Sequence, residues 1–205
     1  MSNVINKKEN NIWIHELISN IVDWHHARNL IGGSDNKNQT LKLVQEFGEL
    51  SGNLSSGESI VDDIGDMIVV LINLMEREGI NFKDSFVHPN STPGKPIPND
   101  PTSNKGLAGH IEDYLNFQSN MYHLKSGATI QLYLDLSHQM GLLSDFVCKQ
   151  QKIHESVGRI LRGLIMLAEC YDITIQNCLQ QAWDDIKDRK GMMIDGIFVK
   201  EADLT

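Results

Sequence analysis

The sequence lacks the features that mark several classes of protein. Lys and Arg number 18 against 27 Asp and Glu, and the formal net charge is −9. This balance leaves too little positive charge for a general nucleic-acid-binding face. The three cysteines are an odd number without a CxxC spacing, so they predict neither a disulfide framework nor a zinc knuckle.

Long apolar runs are also missing. The longest, around residues 67–74, is much shorter than the roughly 20 residues that a helix needs to cross a bilayer. Residues 1–11 are polar, and no apolar stretch typical of a signal peptide follows them. We therefore expect a soluble, cytoplasmic protein that binds neither membranes nor nucleic acid.

Alternating strand patterns are absent outside residues 194–200, which predict a turn and a short extended tail. By contrast, residues 12–29, 39–54 and 59–79 carry apolar side chains at helical spacing. All five prolines lie within residues 88–106, where a helix cannot continue. The sequence thus predicts an all-α protein in which a linker at 88–106 separates residues 1–87 from residues 107–205.

The two parts resemble each other at one constant offset. Gly141 follows Gly48 by the same 93 positions that separate Gly158 from Gly65, and many apolar residues match at this offset without a gap. Such self-similarity across several predicted helices indicates a tandem duplication.

Four acidic residues of the first repeat have no acidic counterpart in the second. Glu46 and Glu49 share one face of a predicted helix, and Asp63 and Asp66 share a face of the next. The second repeat has other residues at these positions: Gln139, Leu142, Ser156 and Arg159. Acid pairs at this spacing are also common on solvated helix faces. The retained apolar pattern and the lost charge favour a chemical role over a packing role.

These acids predict a metal site. Converging carboxylates repel one another unless a cation lies among them, and oxygen ligands favour Mg²⁺ or Mn²⁺ over zinc. Gly48 and Gly65 lie inside the two predicted helices, where glycine costs about 1 kcal/mol relative to alanine. We expect both glycines to permit a close approach of helices around the site.

The acidic segments resemble the MazG-like nucleoside triphosphate pyrophosphohydrolases. The family's EExxE and ExxD motifs are similar to KLVQEFGELSGNL and DDIGDMIVVLINLMEREGI, and the C-terminal segment of small phage-encoded members is similar to AWDDIKDRKGMMIDGIFVKEADL. The resemblance covers residues 12–86 and 180–204. The chain departs from the pattern at Gln45 and Asp63, where the family has Glu, and at Asp184, where Asn is often seen.

The resemblance implies a tandem duplicated MazG-like helical bundle that hydrolyses (deoxy)nucleoside triphosphates to monophosphate and pyrophosphate, with Mg²⁺ or Mn²⁺ as cofactor. It implies that Glu46, Glu49, Asp63 and Asp66 are metal ligands and that Glu46 or Glu49 takes the proton from the attacking water. It also implies control of nucleotide pools and a homodimer, located in the host cytoplasm if the chain is phage-encoded.

Further residues are candidates for substrate binding. For the phosphates we consider four cations: Lys42, Lys187, Arg189 and Lys190. For the base we consider residues near the end of the first helix: Trp24, His25, Arg28 and Asn29. Trp24 is equally explained as a core residue, and the basic residues at 187–190 as a solvated helix end favoured by the macrodipole.

Other functions stay open at this point. A dUTPase or dCTPase of the same all-helical superfamily would have a nearly identical metal site. A non-catalytic nucleotide sensor is a second possibility, because half of the chain has lost the acids. A purely structural bundle is a third. It predicts that alanine at Glu49 or Asp66 is neutral or stabilising, since mutual repulsion is relieved.

Overall fold

A computed structural model describes residues 14–80 and 128–204 of the chain. Within these ranges the protein is predominantly helical, which confirms the predicted all-α class. The helices are α1 (Ile14–Ala27), α2 (Asn36–Ser56), α3 (Val61–Glu78), α4 (Ala128–Cys148), α5 (His154–Cys170) and α6 (Ile175–Ile186). Two strands, β1 (Gly191–Ile194) and β2 (Ile197–Lys200), and a short 3₁₀ turn (Glu201–Asp203) follow. The predicted linker at 88–106 lies outside the described residues.

The ends of α2 and α3 follow from local chemistry. Asp35 caps the start of α2, where its carboxylate accepts a 2.7 Å hydrogen bond from the backbone N–H of Asn38. Both helices end at a glycine in the left-handed conformation, Gly57 with φ 75° and Gly79 with φ 64°. The stop at Gly57 lets the chain turn back, so that α2 and α3 form a hairpin.

Helix α3 lies at the centre of the packing. It contacts α1, α2, α5 and α6. Helices α4 and α5 form a second hairpin, which packs α4 on α2 and α5 on α3. The core is thus built from two helical hairpins, with α1 and α6 laid against α3. No helix in the described ranges is long and apolar enough to cross a membrane.

The offset seen in the sequence recurs in the local geometry. Helix α3 begins at Val61 and α5 begins at His154, which are 93 positions apart. Ser51 and Ser144, at the same offset, each donate a hydroxyl hydrogen bond to the backbone carbonyl four residues earlier. The start of a helix and a serine hydrogen bond thus recur at the offset of 93 positions.

Only one of the two helical glycines lies at a close approach. A Cβ on Gly65 would lie 2.3 Å from the carbonyl oxygen of Cys178 and 2.9 Å from the Cβ of Ala182, both on α6. A Cβ on Gly48 would have nothing within 4 Å. The expectation is therefore right for Gly65 and wrong for Gly48, because Gly48 lies on an exposed face of α2.

A β-hairpin ends the described chain. Strands β1 and β2 pair antiparallel around Asp195 and Gly196, which have φ values of 49° and 83°. An Asp-Gly pair with both residues at positive φ is a favoured two-residue hairpin turn. The sequence predicted the turn and the second strand but missed the first, since Ile194 is the one β-branched residue of β1, which is otherwise glycine and methionine. Phe198 and Met193 form a cross-strand pair that packs on the helical core.

We predict that Gly65→Ala lowers the free energy of unfolding by about 1–3 kcal/mol, because the new methyl group overlaps the backbone of α6. The matched control Gly48→Ala should raise it by about 0.5–1 kcal/mol, since alanine is the better helix former at an unhindered position. Urea unfolding followed by circular dichroism measures both. Equal effects of the two substitutions would contradict the close approach of α3 and α6.

Candidate functional site

A cavity of about 160 Å³ lies among α1, α2, α3, the end of α6 and the hairpin. It brings together side chains from both ends of the chain. Its lining contains two carboxylates, three basic groups and three rings: Glu46, Asp66, Lys42, Arg189, Lys200, Trp24, His25 and Phe198. Six of these eight residues were predicted from the sequence as site residues, while Lys200 and Phe198 were not.

Glu46 and Asp66 form the acidic part of the cavity. Only 2% of Glu46 is exposed, and its burial raises the pKa of its carboxyl group. Lys42, one turn earlier on α2, pairs with Glu46 and opposes that rise. Burial raises the pKa of Asp66 to about 7, with further contributions from the charges of Glu46 and Asp62. These carboxylates are therefore held at an electrostatic cost.

Glu49 and Asp63 lie outside the cavity lining. Glu49 links them to the cavity, because its side chain also interacts with Glu46 and contributes to the raised pKa of Glu46. Asp63 is 5% exposed and accepts two hydrogen bonds, of 3.1 and 2.9 Å, from the side-chain amide of Asn53. Burial raises the pKa of Asp63, the bonds from Asn53 lower it, and the charge of Glu49 raises it. Glu49 is exposed and accepts a 3.1 Å hydrogen bond from the amide of Gln45.

A third acidic contact was missed by the sequence reasoning. Asp62 on α3 lies against Asp185 on α6, and burial together with this neighbouring carboxylate raises the pKa of Asp62. Asp62 precedes Asp66 by one helical turn, so the helical spacing that paired Asp63 with Asp66 was also a signal for it. Its partner on α6 had no such signal, because contacts between distant helices leave no mark in local spacing.

The predicted metal ligands therefore lie as pairs on α2 and α3. Within residues 14–80 and 128–204, no three His, Cys, Asp or Glu side chains are grouped closely enough to hold one metal ion. The donor chemistry nevertheless fits a hard divalent cation, since all four are carboxylates whose repulsion a cation relieves. The raised pKa values of Glu46, Asp63 and Asp66 express that repulsion together with burial.

The four predicted phosphate-binding cations divide between two environments. Lys42 and Arg189 line the cavity. Lys187 lies outside its lining and forms a 2.6 Å ion pair with Asp184. Lys190 is exposed and also outside the lining, and its backbone carbonyl accepts a 3.0 Å hydrogen bond from Glu201.

Trp24 is both a core residue and part of the cavity wall. It is 7% exposed, and its indole N–H donates a 2.8 Å hydrogen bond to the carbonyl of Ile186. Its ring meets those of Phe198 and His25 edge to face, with centroids 5.7 and 5.4 Å away. The two sequence interpretations of Trp24 are thus compatible.

His25 brings a neutral imidazole to the same end of the cavity. The side chain is 3% exposed, and burial lowers its pKa to about 3. Its Nδ1 is buried and has no hydrogen-bond partner among the described residues. A buried ring nitrogen without a partner is costly unless a ligand or water meets it.

Arg28 and Asn29 lie beside the cavity without lining it. The guanidinium of Arg28 is 4.6 Å from the Trp24 ring centroid and donates to the carbonyls of Arg189 and Lys187, at 3.0 and 3.3 Å. Arg28 therefore holds the segment that carries Arg189. Asn29 adopts a left-handed conformation (φ 57°) in the turn after α1.

Neutral and ion-paired groups lie at the positions 93 residues after Glu46 and Asp66. Gln139, at the position equivalent to Glu46, is 5% exposed. Arg159, equivalent to Asp66, forms a 2.8 Å ion pair with Glu155 one turn earlier. The described part of the second repeat thus fills the equivalent positions without buried like charges.

Comparison with known proteins adds a phage relative. No protein-family model matches the chain, and no solved structure matches it. The uncharacterized 18.2 kDa protein in the rep-hol intergenic region of Haemophilus phage HP1 (strain HP1c1) is 37% identical over 70 residues. The match covers 33% of this chain and 43% of that protein, so it spans less than half of the relative's length.

We predict that Asp66→Asn stabilises the protein at pH 8 and that the gain disappears towards pH 4. The ordinary pKa of 3.8 is raised to about 7 in the fold, so between these values the folded state holds a proton that the unfolded state releases. The free energy of unfolding therefore falls as pH rises through this window. The expected gain at pH 8 is on the order of 2–4 kcal/mol.

Urea unfolding of both proteins between pH 4 and pH 8 measures this difference. Asp23→Asn, at an exposed position of α1, is the control and should show no comparable pH-dependent gain. A gain for Asp66→Asn that is equal at pH 5 and pH 8 would mean that the carboxyl group is not held at an electrostatic cost.

Proposed function

We propose that this protein is a Mg²⁺-dependent pyrophosphohydrolase of (deoxy)nucleoside triphosphates. The observation that carries the proposal is the composition of one cavity. Two carboxylates, Glu46 and Asp66, share it with basic side chains and with a wall of rings. A nucleoside triphosphate requires three sets of contacts. Acids hold its metal ion, cations contact its phosphates, and rings contact its base.

The basic side chains support an anionic substrate. Lys42, Arg189 and Lys200 reach the cavity from α2, from the segment after α6 and from β2. Cations that converge from separate elements in a chain of net charge −9 indicate a local site for an anion. In the proposal these three residues contact the triphosphate.

The rings support a nucleoside in the same cavity. Trp24 and Phe198 present apolar ring surface, and His25 adds a neutral imidazole. Aromatic surfaces bind bases by stacking and by edge contacts, and a neutral imidazole can both donate and accept a hydrogen bond. In the proposal these residues contact the base.

The proposed metal ligands are Glu46, Asp66, Glu49 and Asp63. A divalent cation held by them supplies positive charge that neutralises the triphosphate and orients it for attack by water. The first two line the cavity, and the second two lie on the same helices beside them. Binding a cation would also offset the repulsion that the raised pKa values express.

Glu46 is the better of the two proposed proton acceptors. It is buried in the cavity wall and its pKa is raised, so its carboxylate is more basic than an exposed one. Glu49 is exposed and lies outside the cavity lining. In the proposed reaction Glu46 takes a proton from the attacking water, and nucleoside monophosphate and pyrophosphate leave.

The resemblance to MazG-like enzymes extends the proposal to a homodimer that shapes nucleotide pools. The phage relative supports a setting in host cytoplasm. A dUTPase or dCTPase of the same superfamily would use the same acids, and only its contacts with the base would differ. The base specificity of hydrolysis distinguishes these enzymes.

The spacing of the acids favours a second candidate, a nucleotide-binding sensor without turnover. Within residues 14–80 and 128–204, no three of the carboxylates are grouped closely enough to hold one metal ion. A protein that only binds a nucleotide needs the cavity and its cations, but does not need four carboxylates around one metal centre.

We predict that the protein converts at least one (deoxy)nucleoside triphosphate to monophosphate and pyrophosphate only when Mg²⁺ is present. Glu46→Gln and Asp66→Asn should each lower kcat/KM by about 100-fold or more, because they remove a proposed proton acceptor and a proposed metal ligand. Anion-exchange chromatography of the products measures the reaction. Asp135→Asn is the matched control, since Asp135 is the exposed counterpart of Lys42 in the second repeat.

Two other results are informative. Binding of a triphosphate without turnover would favour the sensor. Neither binding nor turnover on a full panel of bases would contradict both candidates.

A further inference from the structure

Gln39 is a polar residue of the cavity that has no role in the proposed contacts with the metal or the phosphates. It lies in the first turn of α2, is 8% exposed and lines the cavity. Its side-chain N–H donates a 3.0 Å hydrogen bond to the hydroxyl of Ser34, which is itself 8% exposed. The carboxamide is therefore buried and tied to the chain at one of its atoms.

The remaining atoms of this carboxamide suit the edge of a base. With one N–H used by Ser34, Gln39 still offers one N–H donor and a carbonyl acceptor. A side-chain amide of this kind pairs in a bidentate manner with a donor and an acceptor that lie next to each other on a base. Adenine and cytosine present an amino donor beside a ring acceptor, whereas guanine and uracil present a keto acceptor beside a ring donor.

The position of Gln39 along α2 suits this task. It lies two helical turns before Glu46, a separation of roughly 10 Å along the helix axis at about 1.5 Å per residue. Lys42 lies between them and lines the same cavity. A nucleotide with its phosphates near Glu46 and Lys42 would thus direct its base towards Gln39, where His25 also lines the wall.

The hydrogen bond to Ser34 restrains the carboxamide with its nitrogen towards the hydroxyl. A rotated amide would exchange donor and acceptor, and would match keto bases where the original matched amino bases. We propose that Gln39, oriented by Ser34, is the specificity-determining residue that distinguishes amino bases from keto bases. This inference rests on the proposed function, because it assigns the cavity to a nucleotide.

The experiment measures base selectivity by binding, without turnover. The probes are nucleoside monophosphates in matched pairs, AMP with GMP and CMP with UMP, titrated calorimetrically in the absence of metal. The wild-type protein should prefer the amino member or the keto member in both pairs. Gln39→Met keeps the length of the side chain without the amide and should lower that preference by about tenfold or more.

In this proposal Ser34 acts through Gln39. Its variants are therefore compared by the ratio of affinities for two bases, which a purely structural role of Ser34 would leave unchanged. Ser34→Ala should lower the ratio of affinities within each pair, whereas Ser34→Thr retains the hydroxyl and should preserve that ratio. Thermal unfolding of each variant separates a lost fold from a lost preference. The quantity compared is always the ratio between two bases, which cancels a general weakening of binding.

The outcomes separate this inference from the proposed function. Selective binding that depends on Gln39 supports the inference even if no triphosphate is hydrolysed, in which case the proposed function alone is wrong. Equal affinities within each pair, or a preference that Gln39→Met and Ser34→Ala leave unchanged, would overturn it. Absence of monophosphate binding at millimolar concentration would overturn it as well, whether or not triphosphates are hydrolysed.

Discussion

The burial of α3 is the constraint on which the site depends. Four helices pack against it, and its buried residues include Asp63 together with the apolar core around Ile64 and Met67. When such a helix is buried, an acid in its first turns loses hydration as well. The raised pKa of Asp66 is a direct consequence, because burial and the charges of Glu46 and Asp62 outweigh the opposing charges of Lys42 and Arg189. The same packing that stabilises the fold thus raises the pKa of the acids that it buries.

The contact of α3 with α6 links the two ends of the chain. Gly65 allows the backbone of α6 to lie where a side chain would otherwise stand. Helix α6 leads into the hairpin, and Arg28 holds the connecting segment by its carbonyls. Lys200 and Phe198 reach a cavity whose acids lie more than 130 residues earlier in the chain. The cavity is therefore a product of tertiary packing rather than of any one motif.

This distinction explains what could be predicted from the sequence. Helical spacing predicted α1, α2 and α3 to within a few residues, because burial of one face is a local pattern. The acids on α2 and α3 were identified for the same reason. Lys200 and Phe198 could not be, since no local pattern states which distant element a hairpin will cover. The prediction that Gly48 permits a close helix approach was wrong, because the sequence of a helix does not show whether a glycine faces another helix or solvent.

The ion pair between Glu155 and Arg159 has a consequence for how this chain can change over time. The second hairpin buries its apolar face without the like-charge repulsion that burdens the first. The second hairpin therefore contributes to the stability of the fold without that cost. Proteins tolerate substitutions in a site only while total stability stays above the threshold for folding. A second hairpin without buried like charges widens that margin, so the residues that surround the cavity can change while the fold persists.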